Sequence, residues 1–301
     1  MHPVRTKPTV SARVVHEFFA DLKNAIGEVY RRMPFHAGEA VVLMYSERMK
    51  TTSPHVKLDR IALLYAMKAE GTPLAERLGL DAETELHRGL PARVRQGRVG
   101  RTEVFLVFNG CDPVHDVDRI GLEHAAVTTW VLAEALKPQI IVNAGTCGGF
   151  QARGGAIGTT YLAGGDYLIH DHRIPLPGFD ALGISRLPAT RFRAVEARLN
   201  LPIGPVSSGS SLDATEAERS FFEKEGVVAK DMEAAAIARV AADLHIPLMT
   251  MKAVTDLVDH PEPAEDAFLR NLQSTTMKLT DHMEQLVRWI GEGVTEADLK
   301  N

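Results

Sequence analysis

The chain has 301 residues, 45% hydrophobic and 24% charged, with 24 Gly and 16 Pro, an ordinary globular composition that excludes a disordered, collagen-like or coiled-coil chain. With 34 basic against 39 acidic residues the net charge is −5, so there is no global basic footprint for nucleic acid or an anionic membrane, and no apolar run reaches the ~18 residues that would span a bilayer. Two cysteines, Cys111 and Cys147, are too few for a disulfide framework and too far apart for a CxxC zinc site; a reducing, cytoplasmic location is expected.

Residues 1–10 carry Arg5 and Lys7, two prolines and no acid, and lack the apolar stretch of a secretory signal; organelle targeting by this segment stays open. From Ser11 the apolar residues Val15, Phe18, Phe19, Leu22, Ile26, Val29, Tyr30 and Met33 recur at helical spacing, which predicts an amphipathic helix over 11–33, capped by Ser11 and stopped by Pro34. Such a wide apolar stripe has to be covered, by the protein's own core in preference to a subunit contact or a targeting receptor. A second apolar stretch at 40–45 and a linker at 51–58 complete an N-terminal extension, residues 1–58, ahead of a single domain at 59–301.

That domain alternates strands and helices. An apolar strand is predicted at 60–66, a helix at 70–80, a hairpin of 92–98 and 102–108 turning at Val99-Gly100, and a long helix at 119–136. A short strand at 139–143, an extended segment at 158–169, a strand at 203–207 and a helix at 214–224 follow. Residues 227–229 lead into a helix at 232–244, then come a strand at 246–254 and a long terminal helix at 264–290. The alternation predicts an α/β fold of three layers, a mixed, mostly parallel central sheet flanked by helices, with the chemistry at the carboxyl ends of the strands.

Four strand ends carry chemistry-bearing residues. At 140–149 a buried strand runs into what reads as a Gly-rich turn with a hydroxyl, Thr146; its spacing is neither GxGxxG nor GxxxxGK[ST], so no dinucleotide or P-loop site is signalled, and a purely structural turn is an equal reading. Glu233 opens an Ala-rich helix, where an acid ordinarily serves the helix dipole, yet it directly follows a strand and can reach a site there. Asp256 ends an apolar strand, where desolvation would raise its pKa. Glu70 lies just past the first strand. Three carboxylates from three strand ends suit acid and base work on a glycosidic bond, one group protonating the leaving group and another activating water. Cation sites of oxygen ligands usually gather Asp and Asn within one loop, which is not seen, and His170-Asp171-His172 has no third ligand at a helical spacing; no metal or other cofactor is expected.

The stretches IVNAGTCGGF (141–150), IHDHRIPLPGFD (169–180), KDMEAAAIA (230–238) and KAVTDLVD (252–259) together resemble the 5′-methylthioadenosine nucleosidases, the plant-type enzymes more than the bacterial ones, over about residues 60–290. The resemblance implies a nucleoside phosphorylase-like fold and an N-ribosyl hydrolase that releases adenine and 5-methylthioribose from 5′-methylthioadenosine in methionine salvage, with S-adenosylhomocysteine a further candidate substrate. By motif it implies Asp256 as the acid toward N7 of the adenine, Glu70 as the carboxylate that activates water, and Glu233 as the holder of the ribose 2′- and 3′-hydroxyls, with Met232 against the sugar. Thr146 falls where the family has a hydroxyl near the water and the acid, and Leu212 near the base. Phe268 and the loop 174–179, with Ile174 and Phe179, fall at the 5′-thio pocket, the loop contributed by a partner in the homodimer that the resemblance also implies. GSSLD (209–213) departs from the family, where an acid or asparagine is expected after the glycine.

Three rivals are set beside this reading. A phosphorolytic relative would share the fold but needs arginines for a dianionic phosphate, whereas Glu70 would repel it. A cysteine hydrolase would use Cys147 in a G-x-C-x-G elbow with Asp256 and His260, but 150–158 makes a poor helix to follow the elbow. A nucleoside-binding relative without activity would have no need of Glu70, Glu233 and Asp256 together.

Overall fold

The computed structural model describes residues 56–301; the predicted helix over 11–33, the apolar stretch at 40–45 and most of the 51–58 linker lie outside the described residues. The first strand, β1 (Arg60–Tyr65), is buried on both faces. Ile61, Leu63 and Tyr65 point into one hydrophobic cluster and Ala62 and Leu64 into another, as the period of two requires of a strand covered on both sides. It lies parallel to β4 (Thr102–Phe108) and to β5 (Ile140–Gly149). The predicted hairpin is present: β3 (Arg93–Val99) pairs antiparallel with β4. Its tight turn needs Gly100 in the left-handed region at φ +57, where a Cβ would lie 2.2 Å from the carbonyl oxygen of Gly291. A two-residue strand, β2 (Thr84–Glu85), edges this side.

Beyond β5 the sheet closes on itself. β10 (Leu248–Leu257) runs parallel to β5, β6 (Thr160–Ile169) antiparallel to β10, and β8 (Ile203–Ser208) parallel to β6. Then β9 (Ala229–Asp231) runs parallel to β8 and pairs antiparallel with the end of β5. A short β7 (Leu187–Pro188) hangs on β6. This is the expected mixed sheet, with the addition that five of its strands form a ring.

The helices cover both faces. On one, α7 (Ala264–Gly291) packs on β10 and β5, and α1 (Lys68–Arg77) packs on α7; Leu63, Val142, Met251, Leu279 and Met283 share that cluster. On the other, α2 (Leu122–Leu136) packs on α6 (Ala234–Asp243), with Leu64, Ile141, Leu132, Ile237 and Val254 in the second cluster. Four further helices occur among the described residues: α3 (Phe179–Ile184), α4 (Arg193–Leu199), α5 (Glu216–Glu225) and α8 (Glu296–Lys300). Of these α5 was expected, and it starts on a capping box in which the Thr215 hydroxyl accepts from the Glu218 amide while Glu218 accepts from the Thr215 amide. No helix among the described residues is long and apolar enough to cross a membrane.

Three boundaries differ in ways that bear on function. The helix expected from residue 119 begins at Leu122, because the Arg119 amide donates to Gly110 and its carbonyl accepts from the Asn109 side chain, committing it to the preceding loop. The helix expected from Glu70 begins at Lys68, which puts Glu70 in its first turn. The segment read as a Gly-rich turn after Asn143 is no turn: β5 continues as strand through Gly149, held along its length by β10.

Candidate active site

That continuation of β5 creates the site. On one edge β5 pairs with β10 from Ile141 to Gly149. On the other, β1 leaves it after Asn143 and β9 joins it only at Gly148, so residues 144–147 have no strand beside them. An unpaired buried backbone amide is costly, and here a side chain satisfies it. Glu70, carried back over the gap by the first turn of α1, accepts from the Thr146 amide (2.7 Å) and the Thr146 hydroxyl (2.6 Å) on the same oxygen, Oε1. Close approach depends on missing side chains. A Cβ on Gly145 would stand 3.2 Å from Glu70 Oε2, and one on Gly148 2.9 Å from Asp256 Oδ2.

Glu70, Thr146, Leu212, Met232, Glu233, Asp256 and Phe268 all line one pocket. Of the residues proposed from sequence, Ile174 and Phe179 are the two that the chain does not bring there: the loop after β6 turns outward and leaves both more than a third exposed. Within one chain they are not part of the site.

Burial raises the pKa of Glu70, with Thr146, Lys252 and the Met67 amide opposing. Burial likewise raises Asp256, which is 4% exposed, while the Thr255 hydroxyl and Lys230 pull the other way; that hydroxyl donates to Asp256 Oδ1 at 2.9 Å. Burial pushes Glu233 up to about 7 against the attraction of Lys252. Glu233 stands at the N-cap position of α6 with no capping bond of its own. Its Oε1 instead accepts from the Gly121 amide at 3.1 Å, and its Oε2 lies 3.7 Å from Lys252 Nζ. The helix-dipole duty considered for Glu233 belongs to Asp231, whose Oδ2 accepts from the Ala234 amide at 2.9 Å.

Sequence reasoning missed the framework behind these groups. Lys252, 2% exposed, donates to Asp231 Oδ2 at 2.7 Å. Asp231 also takes a short bond from the Ser208 hydroxyl, which in turn accepts from the Ala235 amide at 2.8 Å. Burial works against the charge on Lys252, and Asp231 and Glu233 outweigh it, leaving its pKa raised. A signal existed: a lysine amid the apolar run MTMKAV must be paired if buried.

The nucleophile-elbow alternative finds no support. Cys147 lies inside strand β5, not on a strand-to-helix turn, and burial, then Asp256, push its thiol well above the usual range, away from thiolate. His260, exposed, accepts from the Glu262 amide through Nδ1. His170 is likewise structural. Its Nδ1 lies 3.0 Å from the Ser207 hydroxyl, its ring stacks edgewise on Phe222, and burial lowers its pKa to about 4.

A mixed sheet closed into a ring, with a pocket lined by buried carboxylates at its strand ends, is the architecture of an α/β enzyme. The family model of the phosphorylase superfamily matches residues 60–288, and the chain belongs to that superfamily. It is 37% identical to the 5′-methylthioadenosine nucleosidase of Arabidopsis thaliana over 235 residues, 77% of this chain and 88% of that protein. It is 31% identical to the 5′-methylthioadenosine/S-adenosylhomocysteine nucleosidase of the same plant, over 77% and 92%. The solved apo structure of the Arabidopsis 5′-methylthioadenosine nucleosidase superposes with a TM-score of 0.78 over 81% of this chain and all of that one. Futalosine hydrolase of Helicobacter pylori, 20% identical, shares the fold with a TM-score of 0.65.

The burial of Asp256 has a measurable consequence for stability. With its pKa raised in the folded state, the side chain favours folding most below its unfolded-state pKa, and that contribution is lost as pH rises through the folded-state pKa. Asp256→Asn does not titrate and escapes the loss. Its melting temperature relative to wild type is expected to rise in scanning calorimetry as pH is raised from below the ordinary carboxylate range through the folded-state pKa of Asp256; a difference that stays flat or falls from acid to alkaline pH would mean that Asp256 is not held in a desolvated site.

Proposed function

We propose that the protein hydrolyses the N-glycosidic bond of 5′-methylthioadenosine, releasing adenine and 5-methylthioribose. The observation that carries this is the placing of Glu70 and Asp256 in one pocket, from different elements, Asp256 with its pKa raised by burial and Glu70 held by two Thr146 donors that favour its ionised form. Protonated Asp256 donates to N7 of the purine as the C1′–N9 bond breaks and its electron pair passes into the ring. Water supplies the new C1′–O bond, and Glu70, ionised, takes the water's proton. The Thr146 amide and hydroxyl hold Glu70 toward that water. The ribosyl group carries positive charge at the transition state, and nearby carboxylates stabilise it. Glu233 is free to take the ribose hydroxyls because the Gly121 amide and Lys252 fix its orientation, with Met232 beside it in the pocket.

Hydrolysis, not phosphorolysis, is supported by what lines the pocket. No arginine is among its lining residues. The ammonium of Lys230 is engaged with two backbone carbonyls, and that of Lys252 with Asp231 and Glu233. A dianionic phosphate would meet Glu70 with no guanidinium to receive it.

We propose further that the active unit is a homodimer in which the loop 174–179 closes the 5′-thio end of the partner's pocket. Ile174 and Phe179 are exposed and apolar, and on α2 Val127 and Trp130 are each about half exposed, apolar surface of the kind that a partner covers. Sedimentation equilibrium is expected to give twice the chain's 32.9 kDa; a monomer that is fully active would refute this arrangement. The cytoplasm is the proposed location, on the two free thiols.

Adenine release from 5′-methylthioadenosine tests the reaction. Asp256→Asn and Glu70→Gln are each expected to reduce kcat by roughly 10²–10⁴-fold with the fold retained. In wild type kcat/KM should fall on the acid side as Glu70 is protonated and on the alkaline side as Asp256 ionises. Near-normal turnover by Asp256→Asn would show that the base leaves without this acid.

A further inference from the structure

One buried charge is not used by the mechanism above. Lys230, in β9 between Ser207 of β8 and Gly148 of β5, is 4% exposed and lines the same pocket as Asp256 and Leu212. Unlike Lys252 it has no carboxylate within salt-bridge distance among the described residues. Its Nζ donates instead to the carbonyl oxygens of Ser211 (2.6 Å) and Leu212 (2.8 Å). A buried ammonium held by neutral partners is expensive, and a chain that keeps one has a use for it.

The loop that it grips is the 209–213 segment, where the sequence departs from its family. The first half of that loop is tied elsewhere: the Gly209 amide donates to the Asp231 carbonyl, the Ser210 amide to Asp171 Oδ2 at 2.7 Å, and the Leu122 amide to the Ser210 hydroxyl at 3.4 Å. Among the described residues the second half has only Lys230, whose two bonds are the only hydrogen bonds made by Ser211 or Leu212. The same ammonium is the charged group that favours the ionised form of Asp256.

We propose that Lys230 is a positioning residue for adenine release: it fixes Ser211 and Leu212 as the wall of the base pocket, and it stabilises the carboxylate left on Asp256 once the proton has passed to the purine. This rests on the nucleosidase reading for its chemistry, but not for its electrostatics. Proton transfer creates an anion in a desolvated place, and a cation already held there without solvent reorganisation lowers the cost of that step. Around Lys230 stand Asp256 from β10, Asp231 from its own strand, Glu218 from α5, Asp213 from the loop and His170 just after β6. Cys147 of β5 also faces Asp256. Burial lowers the pKa of Lys230 and these acids oppose that.

The test replaces the charge and reads two quantities. In Lys230→Met the alkaline limb of kcat/KM is expected to move up by about 1 pH unit, since Asp256 loses its opposite charge, with KM raised because the loop is released and kcat lowered roughly tenfold or more because the acid is weaker. Lys230→Arg keeps the charge and should leave that limb in place while still raising KM. If Lys230→Met does not fold, Lys230→Gln removes the charge while keeping a donor for the carbonyls and carries the same expectation for the limb. In parallel, carboxyl NMR of ¹³C-aspartate-labelled protein, assigned with Asp256→Asn, follows the Asp256 titration without turnover. An Asp256 titration that is the same in the neutral variant and in wild type overturns the proposal, since a merely structural lysine would change stability and leave it unmoved. Failure of wild type to release adenine would overturn the nucleosidase reading, and the NMR titration would still decide the role of Lys230.

Discussion

The site depends on an interruption in strand pairing. Strand β5 has neighbours on both edges over most of its length, but β1 departs after Asn143 and β9 arrives at Gly148, leaving four residues with one open edge. A strand amide left without a neighbouring strand in a largely enclosed sheet needs another partner, and Glu70 answers that of Thr146. The carboxylate that we assign to water activation is therefore a structural partner of the sheet as well, oriented by a backbone amide together with the Thr146 hydroxyl. Gly145 and Gly148 follow from the same geometry, since a side chain at either would press on Glu70 or Asp256.

Around that gap the protein holds an unusual density of buried charge. Glu70, Asp231, Glu233, Lys252, Lys230 and Asp256 are all less than a tenth exposed. Buried ion pairs seldom stabilise a fold relative to apolar packing, yet losing one member is severe, so the cluster is better understood as serving chemistry than stability. Lys252 offsets Asp231 and Glu233, and Asp231 is consumed by the start of α6 and by Ser208, which leaves Glu233 for the ribose contact that we propose. Asp256 has less compensation, and burial raises its pKa, which favours the protonated form that the proposed acid role needs. The result is a pocket in which burial raises the pKa of three neighbouring carboxylates, each opposed by different partners.

Much of this was legible in the chain. The alternation of apolar strands and amphipathic helices was enough for the layered fold, and acids placed just beyond strands were enough for Glu70, Glu233 and Asp256, because burial patterns and strand ends are local properties. The ring closure through β10 and β9 was not legible, since the pairings β5–β10 and β5–β9 join segments about a hundred and about eighty residues apart and register across such distances leaves no periodic trace. For the same reason the glycines at 145–149 read as a turn: locally they break structure, and only the neighbouring β10 keeps them extended. Lys252 and Asp231 escaped notice because each is explained by the other. Ile174 and Phe179 illustrate the opposite case, residues whose proposed role needs a second chain.

The central claim is that Glu70, at the open edge of β5, activates water and not phosphate against a ribose whose base has been protonated by Asp256. Turnover of 5′-methylthioadenosine in ¹⁸O-labelled water with inorganic phosphate present tests it most directly. The account predicts adenine together with 5-methylthioribose carrying one ¹⁸O at C1 and no sugar phosphate. Formation of 5-methylthioribose-1-phosphate, free of ¹⁸O at the C1 oxygen, would contradict it.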